Sequence, residues 1–310
     1  MADHAGEFTE AQVISRLREI FANSDPRIEV GIGDDAAVVL GATRQVLTTD
    51  MAVEGVHFRT DWSTGFEIGR KITAANTADI LAMGAVPDFL LVAVALTGSE
   101  SMEWISELAR GIKFEADLAG AHVVGGDISR ADQVVISITA IGSTGKPILR
   151  SGAKPGDGIY LSSLTGWSAA GLALLRNNIV SESTHVEKAL HEFKSPTIDY
   201  KFDATSATSL CDVSDALAIQ ATQMAESSGV AFKIDTAKLA ACAEFADLEV
   251  LANSLGIDIW QWIFAGGEDH CFLATGLKLP GILIGEVMNG SGLQGLPSGV
   301  TTKAWQHFNQ

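Results

Sequence analysis

The spacing of apolar and polar positions predicts a mixture of helices and strands in the first half of the chain. Apolar side chains recur at helical spacing from Thr9 to Phe21, with Thr9 in the N-cap position. Two longer stretches, 64–83 and 101–118, have a helical pattern too. Continuous or alternating apolar runs predict strands at 28–32, 36–40, 44–49, 89–96, 122–124 and 134–141. This order is typical of an α/β or α+β domain that closes near residue 142.

The second half of the chain has the pattern of another α/β domain. Turn-forming residues are concentrated at 143–157, so we predict an N-terminal domain at 1–142 and a C-terminal domain at 143–310. Strands are predicted at 159–163, 231–234, 271–275 and 282–287. Helices are predicted at 168–176, 186–193, 214–227 and 245–255. Ser214 or Asp215 is the predicted cap of the helix at 214–227, and 259–264 fits a strand or a helix.

Composition narrows the class of protein. Of the 310 residues 47% are hydrophobic and 19% charged, as in well-packed globular proteins. The net charge of −17 argues against nucleic acid or an anionic membrane as a partner. No apolar run is long enough to span a bilayer, no targeting signal is visible, and three scattered cysteines suit a reducing compartment. We therefore expect a soluble, cytoplasmic protein.

Carboxylates follow several of the apolar runs, often beside glycine. Thr48-Thr49-Asp50 ends a predicted strand and offers the hard oxygen ligands that Mg²⁺ prefers. Taken alone, this motif is better explained as a strand closed by a turn. Five further acidic motifs occur, at Gly31–Asp35, Asn76–Asp79, Gly125–Asp127, Asp212–Asp215 and Gly266–Asp269. Together they indicate carboxylates gathered into one cleft that is filled with cations.

Asn76 and Asp79 lie three residues apart, so they share one face of the predicted helix at 64–83. Polar side chains on an alanine-rich helix face need partners. We prefer a metal ion or phosphate as that partner, and a buried hydrogen-bond network is the alternative.

Other chemistries find no support in the sequence. Gly142-Ser143-Thr144-Gly145-Lys146 lacks the Walker spacing, and no Gly-x-Gly-x-x-Gly follows a strand. No serine occupies a nucleophile elbow, and no pair of histidines has metal-ligand spacing. What remains is Mg²⁺ held by several carboxylates, which could neutralise a polyphosphate during phosphoryl transfer.

These motifs, in this order, resemble the thiamine-monophosphate kinase family of the aminoimidazole ribonucleotide synthetase superfamily. The similarity covers nearly the whole chain. Its most specific segments are Val53-Glu54-Gly55-Val56-His57-Phe58 and the terminal Trp-x-His-Phe. The other matching segments are Gly6–Phe8, Gly31–Ala37, Thr49-Asp50, Asn76–Ile80, Ala82–Pro87, Gly125–Asp127, Arg150–Asp157, Asp212–Asp215 and Gly266–Asp269.

The resemblance implies a two-domain aminoimidazole ribonucleotide synthetase-like fold of α+β or α/β class. The mixed sheet and helices of the N-terminal domain would form a dimer interface, and the C-terminal domain would be α/β. The implied reaction is the ATP-dependent, direct in-line phosphorylation of thiamine monophosphate to thiamine diphosphate, assisted by several Mg²⁺ ions.

The resemblance also implies roles for individual residues. The implied metal ligands are Asp35, Thr48, Thr49, Asp50, Asp79, Asp127, Asp212 and Asp215. Gly126, Asp127, Arg150 and Ser214 would contact ATP. His57, Glu268 and Trp305 would contact thiamine monophosphate. No general base is needed, because the acceptor is already an anionic phosphate oxygen.

The sequence departs from the family pattern at Ser162-Ser163, Ala216, Gln220 and His270-Cys271. Ala216 restricts the backbone beside a metal ligand, and Gln220 removes a possible charge. Two alternatives therefore stay open: another ATP-dependent enzyme of the superfamily, and a nucleotide-binding scaffold that has lost catalysis.

The run Phe89–Leu96 is apolar at every position, so both faces of this strand should be covered. The predicted helices of the first domain cover one face of its sheet. We expect a second copy of the chain to cover the other face in a homodimer. The alternative is that the second domain covers it.

Overall fold

The computed structural model describes residues 9–32 and 36–300, apart from the side chains of residues 10 and 11. The chain divides into two compact units. Unit 1 extends to Leu81 and resumes from Ala85 to Lys146, and unit 2 comprises Ala82–Gly84 and the described residues from Pro147 onward. No helix in these ranges is both long and apolar enough to cross a membrane.

Unit 1 contains helices and strands close to the predicted ones. Its helices are α1 (Glu10–Ile20), α2 (Gly65–Ala82) and α3 (Met102–Ala119). Its strands are β1 (Ile28–Val30), β2 (Val38–Val39), β3 (Gln45–Val53), β4 (Val86–Leu96), β5 (His122–Arg130) and β6 (Val135–Ser143). Thr9 caps α1 as predicted, since its side chain accepts from the backbone N–H of Gln12.

A mixed sheet forms the centre of unit 1, in the order β3-β6-β4-β5. The β3–β6 and β6–β4 pairs are antiparallel, and β4 and β5, which α3 connects, are parallel. Among the strands in the described ranges, β1 and β2 pair with each other, in a separate two-stranded sheet.

Helices α2 and α3 cover one face of the mixed sheet, where Ile80, Leu90 and Ile138 are fully buried. The two helices approach each other closely because Gly69 and Gly111 lie at their crossing. A Cβ at Gly111 would stand 2.1 Å from the carbonyl oxygen of Phe66. The α+β character and the mixed sheet predicted for this part of the chain are confirmed.

The prediction that a short strand ends before Gly125-Gly126-Asp127 is wrong, because β5 continues through this motif to Arg130. Pairing with β4 shifts by one residue at Val124, which forms a β-bulge. Gly126 then pairs with Val92, and a Cβ at Gly126 would stand 1.9 Å from the carbonyl oxygen of Val92. A side chain at this position would therefore break the pairing.

Unit 2 combines a six-stranded sheet with several helices. Its strands are β7 (Gly158–Leu161), β8 (Ser209–Val213), β9 (Ala231–Ile234), β10 (Cys271–Gly276), β11 (Ile282–Met288) and β12 (Gly292–Gln294). Its helices are α4 (Trp167–Arg176), α5 (Thr184–Lys194), α6 (Leu217–Ser228), α7 (Thr236–Ala240), α8 (Ala243–Leu255) and α9 (Ile259–Ala265). Residues 259–264 are thus helical, whereas α7, β8 and β12 were not predicted.

The sheet of unit 2 has the order β12-β9-β11-β7-β10-β8, with antiparallel neighbours except for the parallel pair β12 and β9. Its apolar core includes Leu161, Phe232 and Phe264, none of which is exposed. Strand β8 lies at one edge beside β10, so the segments that follow β8 and precede β10 meet at the same end of the sheet.

Candidate active site

In unit 1, the sheet and α2 bring together three of the predicted metal ligands. Thr48 and Asp50 are two residues apart on β3, so their side chains share the face that α2 covers. The Thr48 hydroxyl donates to Asp79 Oδ2 on α2 at 2.8 Å. The backbone N–H of Asp50 donates to Asn76 Oδ1 at 3.1 Å. A strand and a long helix therefore hold these carboxylates in place.

Asn76 belongs to a buried hydrogen-bond network, which was the less favoured of the two alternatives. Its side chain is completely buried, and besides accepting from Asp50 it donates to the carbonyl oxygen of Ile72 at 2.8 Å. Both ends of the amide are thus used by the protein backbone. Asn76 fixes β3 against α2, and the preference for a metal or phosphate partner was wrong for this residue.

Thr49 and Asp127 are placed away from this group. The Thr49 side chain is on the opposite face of β3, where its hydroxyl accepts from Thr139 at 3.1 Å. Asp127 is exposed on β5, beside Ala93 of β4. Strands β3 and β5 are the two edges of the sheet, three strand spacings or about 14 Å apart. Within the sheet of one chain, Asp127 therefore does not join Asp50.

The donor set of unit 1 fits a hard cation only in part. Hydroxyl and carboxylate oxygens suit Mg²⁺, which commonly takes one or two carboxylates and completes its shell with water and substrate phosphates. Across residues 9–32 and 36–300, no three His, Cys, Asp or Glu side chains are grouped closely enough to share one ion. Asp35, a predicted ligand, lies outside the described residues. The carboxylates of Asp50 and Asp79 therefore suit a cation that is bound to a nucleotide and takes its other ligands from phosphates and water.

His57 is held by the turn that follows β3. The Val53 N–H donates to His57 Nδ1 at 3.1 Å, and the His57 N–H donates back to the Val53 carbonyl at 2.9 Å. Gly55 makes this turn possible with a φ of 81°. Because Nδ1 accepts a hydrogen bond, the neutral ring carries its proton on Nε2.

In unit 2, Asp212 near the end of β8 is almost fully buried and pairs with a histidine. Its Oδ2 lies 3.0 Å from His270 Nδ1. Its Oδ1 is buried and has no hydrogen-bond partner among the described residues. An unsatisfied buried carboxylate oxygen is costly, so this atom is a natural ligand for a cation.

The segment that precedes β10 packs against the segment that follows β8. The Glu268 N–H donates to the Ser214 carbonyl at 2.5 Å, and the His270 N–H donates to the Val213 carbonyl at 3.0 Å. Glu268 and His270 have φ values of 64° and 52°, a conformation that few residues other than glycine adopt. These contacts bring Glu268, Ser214 and Asp212 to one end of the unit 2 sheet.

Helix α6 begins later than predicted. Its N-cap is Ala216, and neither Ser214 nor Asp215 caps it. Gln220 is buried, and its Oε1 accepts from the Ala216 N–H at 3.1 Å, so it stabilises the turn. Ala216 has a φ of 176°, which is extended backbone without strain. Two of the departures from the family pattern are therefore compatible with the local structure, and Ser214 and Asp215 are left in the loop before the helix.

Asp269 was missed by sequence reasoning, although it lies in a recognised motif. Its carboxylate accepts from the N–H groups of Gly166 and Ser168 at 2.9 and 3.0 Å, at the N-terminus of α4. Burial raises the pKa of Asp269 to about 7, against the lowering effect of these two hydrogen bonds. No local pattern indicates this role, because its partners are about a hundred residues earlier in the chain.

The remaining predicted residues are placed as follows. Arg150 donates through Nη1 to Gln223 Oε1 of α6 at 2.9 Å, so its guanidinium lies beside this helix. Gly126 is exposed on β5. Trp305 lies outside the described residues.

A family model for the first domain and the similarity to solved structures identify the fold class of this protein. A family model described as "AIR synthase related protein, N-terminal domain" matches residues 33–144. A crystal structure of thiamine-monophosphate kinase from Stenotrophomonas maltophilia K279a has a TM-score of 0.80 at 28% identity, covering 94% of this chain and 98% of that one. AaThiL complexed with AMPPCP and TMP has a TM-score of 0.78 at 28% identity, covering 96% and 97%. The chain has the AIR synthase-like fold.

Sequence comparison assigns the particular family. The thiamine-monophosphate kinase of Corynebacterium glutamicum is 40% identical over 256 residues, which cover 78% of this chain and 76% of that protein. The thiamine-monophosphate kinase of Mycobacterium tuberculosis is 40% identical over 275 residues, covering 87% and 80%. This chain belongs to the thiamine-monophosphate kinase family.

Proposed function

We propose that this protein transfers the γ-phosphoryl group of ATP to thiamine monophosphate and produces thiamine diphosphate. The single observation that carries the proposal is the similarity over most of the chain to relatives named for this activity. The related AaThiL structure holds AMPPCP and TMP. The acidic motifs that imply the reaction are all present.

In unit 1, Thr48, Asp50 and Asp79 would hold one Mg²⁺, and Asp35, Thr49 and Asp127 would bind other ions, since Thr49 and Asp127 lie apart from the first group. The Thr48–Asp79 hydrogen bond and the Asn76 bond to the Asp50 backbone support this assignment, because they fix the ligands before any nucleotide binds. Gly126 and Asp127 would contact ATP.

In unit 2, Asp212 and Asp215 would bind Mg²⁺, and Arg150 and Ser214 would contact ATP. Asp212 Oδ1, which is buried without a hydrogen-bond partner in the described ranges, supports the first of these roles. The bound ions would screen the phosphate charge and stabilise the charge that develops during transfer.

The acceptor brings its own nucleophile, since a phosphate oxygen of thiamine monophosphate is already anionic near neutral pH. The O–P bond to the γ-phosphorus forms opposite the bond to the β-bridging oxygen, which leaves with ADP. No side chain has to remove a proton, so the task of the protein is positioning and charge stabilisation.

His57, Glu268 and Trp305 would recognise thiamine monophosphate. The Val53 hydrogen bond to Nδ1 places the proton of the neutral His57 ring on Nε2, and an N–H at that atom is the kind of donor that a phosphate oxygen accepts from. Glu268 supplies a negative charge for the cationic acceptor, and Trp305 would stack on its rings.

The test is to incubate the protein with MgATP and thiamine monophosphate and to analyse the products by chromatography. Thiamine diphosphate should form in step with ADP, and unphosphorylated thiamine should not react. ATP with a chiral, isotope-labelled γ-phosphate should give product of inverted configuration, as in-line transfer requires. ATP hydrolysis without thiamine diphosphate would contradict the assignment, and retained configuration would contradict the direct transfer.

We also propose a homodimer formed through the sheet face that α2 and α3 leave open. Leu47, Met51 and Leu91 on this face are 63%, 58% and 37% exposed, and the register aligns Leu47 with Ile141 of β6. Such an apolar sheet face is unusual on a monomer. Thr49 lies between Leu47 and Met51 on this face of β3, so it would lie at the dimer interface, whereas Asp127 is on the opposite edge strand of the sheet.

Sedimentation equilibrium tests the dimer. The wild type should sediment at twice the chain mass of 32.6 kDa. Met51→Glu should give monomers, whereas Leu277→Glu, a control at an 85% exposed residue of unit 2, should leave the dimer intact. Wild-type protein at the monomer mass would refute the proposal.

A cytoplasmic location is proposed as well, because the three cysteines carry free thiols.

A further inference from the structure

We propose that His270 is a positioning residue, which orients the Asp212 carboxylate so that Oδ1 is presented to a divalent cation. The inference rests on the proposed function, since it assumes that Asp212 binds a metal ion. It adds a role for a residue that differs from the family pattern.

The hydrogen bond between the two side chains is buried and close. His270 Nδ1 stands 3.0 Å from Asp212 Oδ2, and the residues are 7% and 4% exposed. Because an ionised carboxylate only accepts, Nδ1 is the donor in this bond. The imidazole thereby fixes the rotation of the carboxylate about its Cβ–Cγ bond.

The second oxygen of the carboxylate takes no part in this bond. Asp212 Oδ1 is buried and receives no hydrogen bond from any residue the structure describes. Burial of a carboxylate with only one hydrogen-bonded oxygen costs desolvation free energy, which a bound cation would offset. Outer residues that donate to a ligating carboxylate commonly orient it toward the metal in this way.

The backbone of His270 is held in a conformation that serves this contact. Its φ of 52° lies in the left-handed region, which histidine tolerates better than most residues. The His270 N–H donates to the Val213 carbonyl, and two residues later Phe272 of β10 pairs with Asp212 of β8. Strand pairing and a strained residue thus set the imidazole beside the carboxylate, as expected where strain has a function.

The test measures Mn²⁺ binding to the full-length protein in the presence of AMPPNP, by electron paramagnetic resonance of the free ion. His270→Gly allows the left-handed backbone conformation but removes the side-chain donor. His270→Asn allows the same conformation and retains a side-chain N–H donor. We expect His270→Gly to weaken Mn²⁺ affinity by about 10- to 100-fold and His270→Asn to stay close to the wild type. His122→Gly is the matched control, because His122 also contacts a carboxylate, Asp25, at 3.2 Å.

The outcomes separate this inference from the proposed function. If Asp212→Asn weakens Mn²⁺ binding but His270→Gly does not, Asp212 is a ligand and the role of His270 is refuted. Equal weakening in His270→Gly and His270→Asn would also refute it, since the donor would not matter. If Asp212→Asn has no effect, the metal-binding role of Asp212 falls and the inference falls with it.

A second measurement follows His270 in the wild type itself and uses a variant only to assign its resonance. With ¹⁵N-labelled histidine, addition of Mg²⁺ and AMPPNP should shift the Nδ1 resonance of His270, assigned by its loss in His270→Asn. The His122 resonances should not move. A His270 Nδ1 resonance that stays in place at saturating Mg²⁺ would overturn the inference.

Discussion

The two units hold their candidate carboxylates in different ways. In unit 1, Asp50 and Asp79 lie on a regular strand and a regular helix. Asp79 accepts a hydrogen bond from the Thr48 hydroxyl, and the Asp50 backbone N–H donates to the Asn76 amide oxygen. In unit 2, Asp212, Glu268 and Asp269 lie at or beyond strand ends, where two residues have left-handed backbones. Unit 1 therefore builds its candidate site from secondary structure, and unit 2 builds it from contacts between distant loops.

This difference affects the electrostatics. Asp269 is so deeply buried that its pKa rises to about 7, although it caps a helix. Asp212 has one oxygen that receives no hydrogen bond from the residues that the structure describes. The loops of unit 2 therefore hold carboxylates whose burial is electrostatically unfavourable, whereas those of unit 1 lie on a regular strand and helix. The following predictions test this contrast.

Asp50→Asn should have the largest effect, on catalysis. The amide preserves the shape of the side chain but removes the charge that binds Mg²⁺, so kcat/KM should fall by at least about 10²–10³. Thermal unfolding should not worsen, because repulsion from Asp79 is relieved. A coupled ADP assay measures the first effect. Asp61→Asn is the control, since Asp61 lies in an exposed ion pair with Arg59. Near-wild-type activity of Asp50→Asn at saturating Mg²⁺ would remove Asp50 from the site.

Asp269→Asn should change how stability depends on pH. The folded-state pKa of about 7 exceeds the ordinary value of 3.8, so the folded protein retains a proton that the unfolded chain releases. The free energy of unfolding should therefore fall by about 1.4 kcal/mol per pH unit from about pH 4 to 7, and this slope should be absent in the variant.

Denaturant titrations at several pH values compare the two proteins. Asp203→Asn is the control, since hydrogen bonds from Thr205 hold the pKa of that exposed carboxyl below its usual value. The Asp203 carboxyl stays ionised from about pH 4 to 7, so its substitution should not change how the free energy of unfolding depends on pH. If the free energy of unfolding depends on pH in the same way in the wild type and in Asp269→Asn, the folded protein does not retain a proton on Asp269.

Asn76→Ala should destabilise unit 1 by about 1–3 kcal/mol, because the fully buried amide is lost and the part-buried N–H of Asp50 loses its acceptor. Asn177→Ala is a matched control: its amide also donates to a carbonyl four residues back, but it is exposed. Its substitution should cost less than about 0.5 kcal/mol. Equal losses in the two variants, measured by denaturant unfolding, would show that burial of the network does not matter.

Glu268→Gly should have the smallest effect on stability. Glycine removes the cost of a left-handed backbone while adding chain entropy, so stability should stay within about 1 kcal/mol of the wild type. The KM for thiamine monophosphate should rise while the KM for ATP does not. Glu286→Gly in β11 is the control and should lose about 0.5–1 kcal/mol. A clear loss of stability in Glu268→Gly alone would assign Glu268 a structural role.

The sequence by itself determined the helices and strands of unit 1 closely, because their apolar spacing is regular and Thr9 gives a local start signal. It also identified the acidic motifs and the family, since these depend on residue identity in order along the chain. The predicted strand ended at Thr49, so the face that Thr48 and Asp50 share became clear only from the structure, where β3 continues to Val53.

Only the tertiary structure decided the partners of these residues. The Asn76 amide bonds Asp50 across the gap between helix and sheet, and Asp269 caps a helix that begins a hundred residues earlier. The bulge at Val124, the left-handed backbone of His270 and its bond to Asp212 arise from strand pairing. Such contacts join residues distant in the chain, and local periodicity and capping signals carry no information about them.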